Sequence, residues 1–121
     1  MQAFDELLIV LRRAPDLRFD ERLPGWHMYG TDIVQTARTA GHGAYAEALP
    51  CVHNDRCHGA LGADFDEAYR FMQRKWAGAL PLGTPITRIT RSAGLREGMA
   101  MSTAHPVEEL AARCGWSHLS P

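Results

Sequence analysis

Asp32 is the residue of this chain with the clearest potential for chemistry. It follows Thr31 at the start of a predicted short helix. An ionised carboxylate in that place can act as a general base and accept a proton from a substrate hydroxyl. It can equally have a structural role, because an acid in the first helical turn interacts favourably with the helix dipole by about 0.3 to 1 kcal/mol. The residues alone leave both interpretations open.

A second group of candidate residues lies between positions 51 and 58. Its sequence, CVHNDRCH, contains thiols and imidazoles, which are the usual zinc ligands. The spacing is poor for a structural zinc site, which normally has a second ligand pair farther on, whereas the later part of the chain offers a single cysteine, Cys114. His53, at the end of a predicted strand, is a candidate ligand-facing residue, with a structural role as the alternative. A small metal-binding protein would use Cys51, His53, Cys57 and His58.

Three aromatic or imidazole rings precede Asp32 in a Pro-Gly turn. They belong to Trp26, His27 and Tyr29, and such rings either stack on a substrate or pack a loop onto the core. Glycine-rich phosphate motifs, a serine nucleophile elbow and a HExxH helix are absent from the sequence.

Hydrophobic periodicity predicts the elements that position these candidates. Thr31 is a favourable N-cap, and Gly41 is placed as the C-terminal glycine of a helix with an apolar face. Residues 44–52 then form a predicted strand, which Pro50 restricts to an edge or ends early. We expect this arrangement to bring Asp32 and His53 to the same edge of an α/β sheet.

Three further elements are predicted along the chain. The apolar run at residues 7–11 is typical of a buried strand, with an N-terminal helix as the alternative. Asp64 and Glu67 have the spacing of a capping box and open a helix whose apolar positions continue to Trp76. Pro106 predicts the first turn of a short terminal helix.

Composition limits the classes of function. The chain has 121 residues, 45% hydrophobic and 22% charged, which is typical of one globular domain. Its formal net charge is -1, so no general attraction to nucleic acid is expected. Three cysteines and the lack of an apolar leader predict free thiols in the cytoplasm, and no apolar run approaches the roughly 20 residues that a membrane span requires.

The order of these features resembles the C-terminal half of the family 2 glycosyltransferases with the GT-A fold. The resemblance is carried by residues 23–54, LPGWHMYGTDIVQTARTAGHGAYAEALPCVHN, and by residues 61–81, LGADFDEAYRFMQRKWAGALP. In that family a Gly-x-Asp or Glu-Asp segment opens a helix, and the following strand ends in two hydrophobic residues and a histidine. Residues 5–25, DELLIVLRRAPDLRFDERLPG, look like the family's central strand and the loop toward the acceptor.

This resemblance implies an α/β fold, the C-terminal portion of a GT-A nucleotide-sugar transferase, with a short sheet flanked by two or three helices. We expect this half-domain to span residues 1–92, followed by an irregular tail with a short terminal helix over residues 93–121. The implied activity is transfer of a sugar from a nucleotide-sugar donor to a hydroxyl acceptor.

The resemblance also implies roles for individual residues. Asp32 matches the carboxylate that takes the proton of the acceptor hydroxyl, and His53 matches the histidine near the divalent metal, manganese or magnesium, and the donor diphosphate. Trp26, His27 and Tyr29 fall in the segment that lines the acceptor site. A base and a metal on opposite sides of the reacting carbon suit an inverting transfer.

We expect this chain to lack both the family's N-terminal half, which binds the nucleotide, and the metal-binding Asp-x-Asp motif at the end of that half. We therefore expect a truncated glycosyltransferase that transfers sugar poorly or not at all alone. The alternatives are a non-catalytic binding or assembly module with the same half-fold, and the small metal-binding protein described above. Half a sheet leaves open edges and apolar faces, which predicts self-association.

Overall fold

The computed structural model describes residues 2–3, 7–47, 62–84 and 86–92. Apart from Glu47, these residues belong to one compact unit. They form two helices followed by a small hairpin, namely α1 (Tyr29–Thr39), α2 (Ala63–Lys75), β1 (Leu82–Gly83) and β2 (Arg88–Ile89). The described part is thus a mixed structure of helices and a short sheet, compatible with a small α/β fold. Neither of its helices has the length and apolar character needed to cross a bilayer.

Helix α1 begins earlier than its sequence predicts. Its N-cap is Met28, which has a positive φ of 65° and makes no side-chain capping bond. The prediction that Thr31 is the N-cap is therefore wrong, since Thr31 lies inside the helix and is buried. The tertiary structure overrides the local capping preference of threonine because this part of α1 is turned into the protein.

The C-terminus of α1 confirms the predicted role of Gly41. Gly41 has a φ of 80°, a left-handed conformation that glycine adopts without strain. Its N–H donates to the carbonyl of Arg38 at 3.1 Å, and the N–H of His42 donates to the carbonyl of Ala37 at 2.8 Å. These two bonds form a Schellman motif, which satisfies carbonyls at the helix end.

Helix α2 confirms the predicted periodicity but not the predicted cap. Its buried face consists of Phe65, Ala68, Tyr69 and Met72. The N-cap is Gly62, without a side-chain capping bond, so the prediction of a capping box headed by Asp64 is wrong. Since the helix starts before it, Asp64 lies in the first turn, where a carboxylate still interacts favourably with the helix dipole.

The hairpin after α2 completes the core. Leu82 pairs with Ile89 in the antiparallel register, and both side chains are buried. The Tyr69 hydroxyl donates to the carbonyl of Arg88 at 3.2 Å and accepts from the N–H of Thr90 at 3.1 Å. Helix α2 is therefore joined to β2 by hydrogen bonds as well as by apolar packing. The core cluster consists of Met28, Phe65, Ala68, Tyr69, Met72, Leu82 and Ile89.

The predicted strand at residues 7–11 is wrong, and so is the alternative of a helix there. These residues have no regular secondary structure, and Leu8 and Val10 are 62% and 85% exposed. A buried central strand needs partner strands and covering layers, whereas the described residues supply only a hairpin of two-residue strands.

The predicted strand at residues 44–52 is not found over residues 44–47, where Tyr45 is 85% exposed. The remainder of that strand, and the tail at residues 93–121 with its predicted terminal helix, lie outside the described residues.

Candidate functional site

Asp32 lies in the first turn of α1, as predicted, but it is deeply buried. Its side chain is 1% exposed. The two carboxylate oxygens have different partners: Oδ1 accepts from the indole Nε1–H of Trp76 at 2.7 Å, and Oδ2 accepts from the ammonium of Lys75 at 2.8 Å. Because burial of an unpaired charge is unfavourable, the contact with the Lys75 ammonium compensates the burial of the Asp32 carboxylate.

Lys75 is the last residue of α2 and contacts two carboxylates. Its Nζ atom lies 2.8 Å from Oδ2 of Asp32 and 2.8 Å from Oδ2 of Asp20. The same ammonium lies 5.8 Å from the ring centroid of Phe71 and 5.3 Å from that of Trp76, within the range of cation–π attraction. Four neighbours therefore restrict the position of this side chain.

Asp20, in the loop before α1, is held in turn by Arg22. The Arg22 guanidinium donates through Nε to Oδ1 at 2.9 Å and through Nη2 to Oδ2 at 2.8 Å, which is the bidentate geometry of a strong pair. Hydrogen bonds from Arg22 and then from Lys75 hold the pKa of Asp20 well below its usual value of 3.8. The Asp20 carboxylate raises the pKa of Arg22 in return.

These five residues form one connected group, which we call the Asp32 network: Asp32, Lys75, Trp76, Asp20 and Arg22. It contains two carboxylates and two cations, so its formal charge is balanced. The network joins the loop, α1 and the end of α2.

Sequence reasoning found only Asp32 in this network. The apolar spacing of α2 includes Trp76, and its indole is indeed partly buried, but its N–H donates to the carboxylate. The sequence feature that could have indicated the contact is the adjacent pair Lys75 and Trp76 at the end of an amphipathic helix, since a buried indole N–H usually requires an acceptor.

The low pKa of Asp20 predicts acid sensitivity. A carboxylate with a lowered folded-state pKa contributes stability above its unfolded pKa, and this contribution is lost as the pH falls below about 4 toward the folded-state pKa. We expect Asp20→Asn to destabilise the protein at about pH 7, with a difference from wild type that shrinks toward about pH 3. Urea unfolding across this range measures the effect. The neighbouring Glu21→Gln is the matched control, and an Asp20→Asn difference that does not change with pH would contradict the prediction.

The loop that carries Asp20 is attached to α2 and to the end of α1 by polar side-chain contacts. Oδ2 of Asp16 lies 2.9 Å from Nε2 of His42, just after α1, and this hydrogen bond lowers the pKa of Asp16. Nε2 of His27 lies 3.4 Å from Oδ2 of Asp64 in the first turn of α2. Together with the pair between Asp20 and Lys75, these contacts anchor the loop at three points.

The three predicted acceptor-site rings have different surroundings. Trp26 is 84% exposed, so it is the ring of this turn that is available to a ligand. His27 packs edge-on against Phe65 with ring centroids 5.2 Å apart, and Tyr29 packs edge-on against Phe19 at 5.8 Å. Those two contacts fit the alternative in which the rings pack the loop onto the protein.

His53 and the metal-site alternative with Cys51, Cys57 and His58 lie outside the described residues. The predicted proximity of Asp32 and His53 therefore stays a prediction. Over residues 2–3, 7–47, 62–84 and 86–92, no three His, Cys, Asp or Glu side chains come together as a potential metal site.

An Asp-x-Asp sequence does occur at residues 64–66, and the sequence reading missed it. It lies in the first turn of α2, and its central residue, Phe65, is fully buried. Positions two apart on a helix point in directions that differ by about 200°. Asp64 and Asp66 therefore do not face a common ion.

Comparison with protein-family models, with curated proteins and with solved structures found no match to this chain.

Proposed function

We propose that this chain is the acceptor-side portion of a family 2-like glycosyltransferase with the GT-A fold, which acts together with a donor-binding half. The observation that supports this proposal best is the contact between the two stretches that carry the resemblance. Asp32 of the first stretch is bound directly by Lys75 and Trp76 of the second, at 2.8 and 2.7 Å. The two stretches thus contact each other at the carboxylate that is proposed as the general base.

In this proposal Asp32 is the general base. The acceptor oxygen forms a bond to the anomeric carbon of the sugar, the bond from that carbon to the diphosphate breaks, and the hydroxyl proton passes to Asp32. A carboxylate oxygen accepts more than one hydrogen bond, so the bonds to Lys75 and Trp76 leave acceptor capacity for a hydroxyl. Because Asp32 is 1% exposed, a neighbouring side chain must move before the acceptor reaches it.

Trp26, His27 and Tyr29 are proposed to line the acceptor site, with Trp26 the most accessible of the three. His53 is proposed to lie on the donor side, where manganese or magnesium would supply positive charge for the departing diphosphate. No cluster in the described ranges fits such an ion, and the proposed proton transfer to Asp32 involves none.

The burial of Asp32 also favours a second candidate function, a non-catalytic binding or assembly module. In that case the carboxylate only joins α1 to α2 through Lys75 and Trp76. Sugar transfer from UDP- or GDP-sugar with manganese, measured with a donor-binding half in the presence and in the absence of this chain, separates the two candidates, because a chain that leaves the transfer rate unchanged is only the module.

The transferase proposal predicts the effect of Asp32→Asn. With a donor-binding half supplied in trans, we expect the variant to lose transfer by about 10²- to 10⁴-fold, since the amide cannot accept the proton. Radiolabelled sugar transfer measures the rate, and circular dichroism reports the folded fraction at the assay temperature.

Asp66→Asn is the matched control, because it removes a first-turn acid from α2 without touching the Asp32 network. We expect this control to transfer sugar like wild type. Full activity of folded Asp32→Asn would contradict the role of base and leave Asp32 as a structural residue.

A further inference from the structure

We infer that Lys75 and Trp76 are positioning residues that hold the Asp32 carboxylate in a single orientation, and that Asp20 holds Lys75 in place. The value of this arrangement for proton transfer rests on the proposed transferase function. The geometry of the network, however, is tested without any activity.

Hydrogen bonds to both oxygens fix the orientation of the Asp32 carboxylate. The Trp76 indole binds Oδ1 and the Lys75 ammonium binds Oδ2, so rotation of the carboxylate would break both bonds. Trp76 follows Lys75 directly at the C-terminus of α2. The two donors are therefore fixed relative to each other by the helix end, and α2 sets the direction in which Asp32 presents its remaining lone pairs.

Lys75 is itself prevented from turning away. Its ammonium bonds to Asp20 at 2.8 Å, and Asp20 is held by the bidentate contact with Arg22. The Phe71 and Trp76 rings flank the same ammonium. A lysine on a flexible four-carbon stem has high rotamer freedom, so these contacts are what convert it into a fixed donor.

Stability alone does not require such a group. A buried ion pair is often no more stabilising than apolar residues of similar volume, because of the desolvation cost. Preorganised charge and donors are, by contrast, what a reacting group needs, since a misplacement of about 1 Å can reduce a rate by about 100-fold. The network therefore fits a site that must keep one carboxylate aligned.

The kinetic test uses Trp76→Phe, which removes the N–H and keeps an aromatic ring, and Asp20→Asn, which keeps the shape of the side chain. With the donor-binding half present, we expect each folded variant to lose about tenfold or more in kcat while KM for the acceptor changes little, because alignment and not binding is altered. Arg74→Met, an exposed position beside Lys75, is the control and should keep both parameters. Wild-type kcat in both variants would overturn the inference.

A second measurement separates this inference from the proposed function. The ¹H–¹⁵N signal of the Trp76 indole, assigned through Trp76→Phe, reports the bond to Asp32. We expect it to shift in Asp32→Asn and also in Asp20→Asn, because Asp20 is linked to Trp76 through Lys75 and Asp32. If wild type shows no transfer, the proposed function fails, but the indole signal still tests whether Asp20 and Lys75 hold the Asp32 carboxylate in place. A shift in Asp20→Asn supports this inference, and an unchanged signal overturns it.

Discussion

Replacing Lys75 with methionine is expected to lower the free energy of unfolding by about 3 kcal/mol, because removal of one partner leaves an uncompensated buried charge. Asp32 is 1% exposed and Asp20 11%, and both lose their shared cation. Methionine keeps most of the apolar stem, so the loss reports the charge rather than packing. The value lies at the lower end of the range for buried pairs because the Lys75 side chain is 23% exposed. Chemical denaturation at neutral pH measures it.

Two further variants test whether this loss of stability comes from the buried charge. Arg74→Met removes a cation from the preceding, exposed position of α2 and should change stability by no more than about 0.5 kcal/mol. The double variant Lys75→Met, Asp32→Asn should be more stable than Lys75→Met alone, since the buried negative charge is gone. A loss below about 1 kcal/mol in the single variant would show that solvent screens the pair as it does at a surface.

Phe65→Ala is expected to cost about 3 to 5 kcal/mol, the usual range for truncating a fully buried phenylalanine. Phe65 is 0% exposed and belongs to the core cluster with Tyr69 and Met72. It also supports the ring of His27. The substitution thus leaves a cavity at the start of α2, which the surrounding side chains fill only in part. Thermal and urea unfolding give the loss.

Phe19→Ala is the matched control for the truncation of a phenylalanine ring. Phe19 is 46% exposed and makes an edge contact with Tyr29, so we expect a loss of about 1 kcal/mol. Equal losses in the two variants would contradict the location of the core around α2.

Both described helices follow from local patterns. The apolar spacing of residues 65–72 predicts α2 and its buried face, and Gly41 predicts the end of α1, because helical periodicity and C-terminal glycines depend on neighbours three to five residues away. The N-termini were predicted less well. Met28 and Gly62 are the observed caps, where Thr31 and Asp64 have the better side chains, because tertiary packing determines where each helix starts.

The strands depend on distant partners and were predicted poorly. The apolar run at residues 7–11 has the composition of a buried strand, yet no strand in the described ranges pairs with it. The hairpin of Leu82–Gly83 and Arg88–Ile89 was missed, since two-residue strands have no detectable alternation. Its register and its contact with Tyr69 exist only in the folded chain.

The sequence by itself determined a mixed chain with two amphipathic helices and an acid, Asp32, in the first turn of α1, since these features depend on residue type and short-range spacing. Only the tertiary structure decided that Asp32 is buried and bound by Lys75 and Trp76, which lie more than 40 positions away along the chain. No local pattern records such a contact, because the partners of a buried carboxylate are set by how α2 and the loop carrying Asp20 pack around it.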